Sequence, residues 1–285
     1  MAGGLRKNPI LDSKQKQLNK LSNRKPPPLK LSAKAFNYGK THVVALNNVE
    51  YAGAGREFSQ GRYRGMVSDR QLDWLQQDLA NVPPDHLIVL ATHIPLVAEA
   101  SDGSLSPSAT GPNTINFDRL LELLRPFENI YGIAGHDTSN SWKVEINHNH
   151  GWNGQPWIAH TLAEVRGNGW TTGPDDLRGV RDAMMQDGNP NGFYLLKIDG
   201  VSLVPEFIPF PFGTDAAQRM RIVLDPALEV SEEGGVNRGT LQPDTKIVVN
   251  LFDGGERDKL TLSLDGGPQR ALLYKVRTGE CPSRC

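Results

Sequence analysis

Two cysteines, Cys281 and Cys285, are all that the 285-residue chain contains. They stand at its last few positions, so no disulfide framework and no Cys-based zinc spacing can organise the fold, and redox compartment is not readable from them. Also lacking is any apolar run near the roughly 20 residues needed to span a bilayer, and none stands at the N-terminus as a signal peptide would. The chain is therefore expected to be a soluble globular protein that stays where it is made, with localisation otherwise open. An excess of one charge is missing too: the formal net charge is −1, which gives no global attraction to nucleic acid or to an acidic membrane, and neither is expected as a partner. No Gly-rich phosphate loop and no Gly-x-Ser-x-Gly elbow occurs. What is present is a hydrophobic share of 38%, enough to fill one large core or two ordinary ones. Glycine and proline, 29 and 20 residues, predict many turns and a β-heavy half.

From Leu5 to Lys34 the text is basic, with Pro26-Pro27-Pro28 at its centre and Asp12 as its single acid. Residues 1–35 are expected to be disordered, a solvated tail rather than a basic arm for nucleic acid. Folding is expected to begin near Phe36, with a short strand through Gly39–Leu46 and a polar loop over Gly53–Met66. Ser68 predicts a helix N-cap with Gln71 as its reciprocal capping partner, and Leu72, Leu75 and Leu79 fall on one helical face. A second amphipathic helix is predicted from Asn116, closed by Pro126, and Glu99–Pro112 reads as a rim loop or a mobile connection.

Two apolar runs carry the chemistry. His86–Thr92 ends on His93, and Asn129–Ala134 ends on Gly135-His136. Each reads as a buried strand delivering an imidazole at its carboxyl end, where α/β sheets gather ligand groups. The order from Gly39 to Gly135 is strand, helix, strand, helix, strand, which predicts an α/β layer. A histidine so placed suits a divalent metal, one nitrogen facing the ion and the other oriented by an acceptor. A hydrolytic site normally also needs carboxylates, and no Asp or Glu in the first half occupies an obvious strand end. His148-Asn149-His150 reads as a surface turn before Gly151-Trp152-Asn153-Gly154, the competing reading being two metal-facing residues on a strand. His160 lies on an apolar strand and stands equally as a core histidine or a substrate-facing one. Beyond Asn140, short strands with turns at Asp199-Gly200, Asp253-Gly254-Gly255 and Asp265-Gly266-Gly267 predict β-hairpins, with a boundary near Pro211–Ala217.

Tyr38-Gly39-Lys40-Thr41-His42, Ser68-x-x-Gln71-Leu72-x-Trp74-Leu75, His93-Ile94-Pro95-Leu96 and Gly135-His136 resemble the second half of a calcineurin-like metallophosphoesterase. Gly151-Trp152-Asn153-Gly154, His160, Gly169-Trp170, Asp187–Phe193 and Val248–Phe252 resemble the bacterial subgroup with an extra C-terminal β domain. The resemblance spans roughly Phe36 to Tyr274. It implies a partial α/β/β/α sandwich over residues 36–212 followed by a smaller antiparallel β domain over 213–285.

The implied activity is hydrolysis of phosphate mono- or diesters at a binuclear centre, whose ions polarise the phosphoryl oxygens. Candidate ions are Mn, Fe, Zn or Mg, and the implied partner is a phosphorylated small molecule. His93 and His136, as catalytic metal ligands, would share one ion. The family's Gly-His-x-His pattern is broken at Thr138, and the family's upstream Asp-x-His, Gly-Asp-x-x-x-Asp and Gly-Asn-His motifs do not precede Phe36, so the site is expected to be truncated and incomplete. Asp137 is a poor substitute, because it should alternate away from His136 along a strand. Weak or absent activity of this chain alone is expected. The alternative is a non-catalytic, degenerate phosphoesterase acting as a ligand- or partner-binding module. A misassigned start, with metal motifs encoded upstream, is a third reading.

Overall fold

Alternation of apolar residues builds a mixed six-stranded sheet. The computed structural model describes residues 33–52, 63–97, 113–136, 141–165, 172–175, 181–183, 185, 188–209, 219–225, 229–233, 236–240, 245–255 and 258–273. The first two strands are β1 (Lys34–Tyr38) and β2 (Thr41–Ala45), a hairpin turning at Gly39, whose φ of 57° favours a residue without Cβ. A second hairpin joins β3 (Val49–Tyr51) to β4 (Tyr63–Gly65), the latter inside the stretch expected to be loop. Helix α1 (Asp69–Leu79) leads into β5 (Leu87–Ala91), and α2 (Phe117–Leu124) leads into β6 (Asn129–Ala134). β7 (Trp142–Ile146) and β8 (Trp157–Thr161) complete the sheet, whose order is β1-β2-β5-β6-β8-β7. The strands β2, β5, β6 and β8 run parallel, and the two edges are antiparallel. The strand-helix-strand-helix-strand order read from the sequence is thus present, in a sheet that is mixed and accompanied by few helices.

Both faces of the central strands are covered, which is why β5 is apolar almost throughout. Leu87, Val89 and Tyr131 pack with Val43, Ile133 and Ile158 of the sheet and with Ile198, Val201 and Leu203. Those last three belong to the hairpin of β11 (Gly192–Asp199) and β12 (Ser202–Pro209), turning at Gly200 as the Asp199-Gly200 signal predicts. Ile88 and Leu90 alternate to the opposite face and are fully buried. There Gly132 lets Trp157 and Leu96 approach to within 3.2 Å of where a Cβ would stand, and Trp157 meets Phe117 of α2.

Between β8 and β11 lies the pair β9 (Thr172–Asp175) and β10 (Arg181–Ala183). The final stretch forms two-stranded antiparallel sheets: β13 (Met220–Asp225) with β16 (Lys246–Leu251), β14 (Glu229–Glu233) with β15 (Val236–Thr240), and β17 (Thr261–Leu262) with β18 (Arg270–Ala271). The turn at Asp265-Gly266-Gly267 closes the β17–β18 hairpin as expected. The turn at Asp253-Gly254-Gly255 does not close one, because β16 pairs with β13. A second core of Ala163, Met185, Phe207 and Phe252, with Tyr194 against it, joins the end of β8 to this later part of the chain. The basic N-terminal segment through Ser32, the loop Glu99–Pro112, Asp137, Thr138, the linker Pro211–Ala217 and both cysteines lie outside the described residues.

The expected capping box at α1 is not formed. Ser68 occupies the N-cap position without a side-chain cap. Gln71 instead turns its amide onto the backbone of Asn47, accepting from its N–H at 2.9 Å and donating to its C=O at 2.7 Å. The side chain acts as a short strand partner for Asn47, while its Nε2 also donates to Ser68 Oγ at 3.3 Å.

Candidate active site: two imidazoles at adjacent strand ends

β5 and β6 are parallel neighbours, so their carboxyl ends lie side by side, and each is followed within two residues by a histidine. The His136 Nδ1 and the His93 Nε2 are 3.0 Å apart, with ring centroids 4.9 Å apart and nearly perpendicular planes. The two sequence-predicted site residues are thus brought together. Backbone bonds hold the two turns in this relation: Thr92 N–H donates to Ile133 C=O at 3.0 Å, and Gly135 N–H to His93 C=O at 3.1 Å.

Asn48 does most of the local positioning. Completely buried, it accepts from the N–H groups of His93 (3.1 Å) and Ile94 (3.0 Å) and donates to Ile94 C=O and Thr114 Oγ1, both at 2.7 Å. The chain of support runs from Gln71 on α1, through the Asn47 backbone, to Asn48 and the His93 turn. His136 carries a left-handed φ of 72°, a conformation uncommon outside glycine that is concentrated at functional positions.

Around the pair is a groove of about 750 Å³. Val49, Tyr63, Thr92, the two histidines and Leu162–Val165 are among the residues that line it. The Tyr63 ring meets the His136 ring edge-on at 5.5 Å. The Leu162–Val165 wall is tied down by backbone: Leu162 N–H donates to Ala134 C=O at 2.8 Å, and Ala163 N–H to the Tyr194 hydroxyl at 3.0 Å.

His160 lies elsewhere. It does not line the groove; it sits beneath the hairpin-covered face, 1% exposed. Its Nε2 faces Asp253 Oδ1 at 3.1 Å and its Nδ1 faces the Tyr131 hydroxyl at 3.0 Å. Asp253 also accepts from the Tyr194 hydroxyl (2.8 Å) and from Lys143 Nζ (2.7 Å), and its N–H donates to Asn189 Oδ1 at 2.5 Å. Burial alone would raise the Asp253 carboxyl, but His160 and Lys143 outweigh it and hold the group below its ordinary value. Burial pushes the His160 imidazole down, only partly offset by Asp253, and pushes the Tyr131 hydroxyl up. An ionised carboxylate only accepts, so the neutral ring carries its proton on Nε2 and Tyr131 donates to Nδ1.

His148 and His150 form a single 3₁₀ turn capped by Asn147, between β7 and β8. They are not two positions of one strand, in line with the turn reading. His42 links Asn37 of β1 (2.6 Å) to Asp78 of α1 (2.8 Å) and is structural.

Sequence reasoning assigned no role to Asn48, Tyr63 or Asp253. Asn48 had a detectable signal, a buried-type position occupied by an amide just past an apolar strand. Asp253 had none as a histidine partner, since 93 residues separate it from His160.

Whether the pair fits a metal can be judged from its separation. Two nitrogens each about 2.0–2.1 Å from a tetrahedral ion stand about 3.3 Å apart, so 3.0 Å is close to a ligand bite. Both nitrogens must then present lone pairs, with the ring proton of each imidazole on its other nitrogen. Two ligands fall short of a site, however, and among the described residues no group of three or more His, Cys, Asp or Glu converges to hold an ion.

Comparison with known proteins gives one finding. Residues 160–279 match the family model described as the C terminal of calcineurin-like phosphoesterase. The match begins inside β8, at the buried His160, and includes Tyr194 and Asp253. No curated protein matches the chain. Over those residues the chain therefore resembles the C-terminal portion of the calcineurin-like phosphoesterases, the family to which the sequence motifs point.

Proposed function

We propose that this chain is the C-terminal portion of a metal-dependent phosphoester hydrolase, with its substrate groove at the carboxyl ends of β5, β6 and β8. The observation that carries the reading is the approach of the His93 and His136 ring nitrogens to 3.0 Å in the lining of that groove. On this reading the two imidazoles bind one divalent ion, Mn, Fe, Zn or Mg, and the substrate is a phosphate mono- or diester. When bound, such an ion supplies Lewis acidity toward the phosphoryl oxygens. The protein's own contribution is positional: Asn48 fixes the His93 turn, the left-handed backbone of His136 aims its Nδ1 at His93, and Tyr63 limits the ring's rotation. The sheet with its helices and the hairpin on its opposite face is read as part of an α/β/β/α sandwich over residues 36–212, with a β domain over 213–285.

Activity of this chain alone is expected to be weak or absent, since two imidazoles do not neutralise or bridge a pair of ions. The test is hydrolysis of p-nitrophenyl phosphate and its bis-ester with Mn²⁺, Zn²⁺ or chelator, beside His136→Ala. Slow turnover that needs the metal and disappears in the variant supports the reading. Turnover that persists in chelator, or that His136→Ala leaves unchanged, overturns it.

A further inference from the structure

The groove is much larger than a phosphoryl group, and what lines the remainder is apolar. At about 750 Å³ it is of the size that receives a whole small-molecule ligand. Beyond the imidazoles its sides present Val49, Tyr63, Leu162 and Val165. Val165 is 69% exposed and Tyr63 is 42% exposed. Large apolar side chains left open in the same lining as the imidazoles mark a surface that gains by being covered.

We infer that the groove selects phosphoesters whose organic group is apolar, an aryl or short alkyl group lying against Tyr63 and Val165. This deepens the phosphoester reading and rests on it for the placement of the phosphoryl group at the histidines. Tyr63 and Val165 are specificity-determining residues on this account. Tyr63 also touches His136, so a ring stacked on Tyr63 lies next to the imidazole pair.

The test uses phosphonates, which keep the anion and resist hydrolysis: phenylphosphonate against methylphosphonate, with benzyl alcohol as an uncharged phenyl probe. Binding to the full chain in the presence of Mg²⁺ or Zn²⁺ is followed by NMR signals of the histidine rings and the valine methyls. Phenylphosphonate is expected to bind about tenfold more tightly than methylphosphonate, the gain from covering roughly one ring's apolar surface, and to shift both His136 and Val165. Val165→Asn and Tyr63→Ala should each remove most of that difference. Val165 is open to solvent, so its variant does not threaten folding. Equal affinity for the two phosphonates, with histidine signals moving and Val165 unmoved, overturns the inference and leaves the phosphoester reading standing. Shifts at Val165 from the phenyl probes without any at the histidines support the apolar wall and overturn the phosphoester reading. No response to any probe overturns both.

Discussion

Replacing Asp253 by alanine is expected to destabilise the protein by about 3 kcal/mol, because the buried His160 ring and the part-buried Tyr194 hydroxyl lose this acceptor at once. The carboxylate accepts from His160 Nε2 at 3.1 Å and from the Tyr194 hydroxyl at 2.8 Å. Each donor left buried and unsatisfied costs ~1–3 kcal/mol. The third partner, Lys143, is 35% exposed and can turn to water, so its loss adds no more than about 1 kcal/mol. Backbone geometry provides an internal control. Asp253 has a φ of 55°, where alanine is strained and glycine is not, so Asp253→Gly should be ~1 kcal/mol less harmful than Asp253→Ala despite the greater freedom of its unfolded chain. Asp253→Asn keeps the shape and one acceptor oxygen, and should cost about 1–2 kcal/mol, the loss of charge assistance. The assay is urea unfolding at pH 7 followed by tryptophan fluorescence, with unchanged m-values as the condition for comparing variants. An alanine variant within about 1 kcal/mol of the parent, or a glycine variant worse than alanine, would refute the account of this cluster.

The same cluster sets a pH dependence with a defined sign. The folded His160 value lies below the ordinary 6.5, so the unfolded chain takes up a proton that the folded one refuses; stability is fully present above pH 6.5 and is lost as the pH falls below it. Asp253 is depressed below 3.8, and its contribution, present above that value, is lost in a second, more acidic window. Unfolding midpoints of the parent and of His160→Gln between pH 8 and pH 5 should converge as the pH falls; parallel curves would count against the assignment. Asn48→Ala orphans the buried N–H of Ile94 and the part-buried N–H of His93 and should cost ~1–3 kcal/mol. Its NMR spectrum should also show the His93 and His136 ring signals displaced, while His42 stays in place.

How far the sequence reveals this protein depends on how local each feature is. The two histidine-ended strands, both helices and most of the later strands are legible because hydrophobic period and turn residues are properties of ten-residue windows. The capping box misleads because Ser68-x-x-Gln71 fits a local pattern, while the amide of Gln71 finds a better partner in the Asn47 backbone, 24 residues away. The Asp253 signal marks a turn with a left-handed residue but not the hairpin expected from it, since β16 pairs with β13, and it is silent about the carboxylate. Strand pairing across the sheet brings β8 beside β6 and the end of β16 beside β8, and no window of sequence contains that information. The left-handed His136 is equally invisible, since histidine is not the residue such a backbone announces.

The pairing of His93 and His136 as ligands of one ion is tested most directly by counting divalent ions on the purified chain. Zn²⁺ or Mn²⁺ is titrated calorimetrically into the parent and into His136→Ala, and bound metal is then measured after gel filtration. The account expects a single ion per chain, held weakly enough to be lost on the column, and no binding at that site in the variant. Two ions per chain surviving gel filtration, or a titration that His136→Ala leaves unchanged, would contradict it.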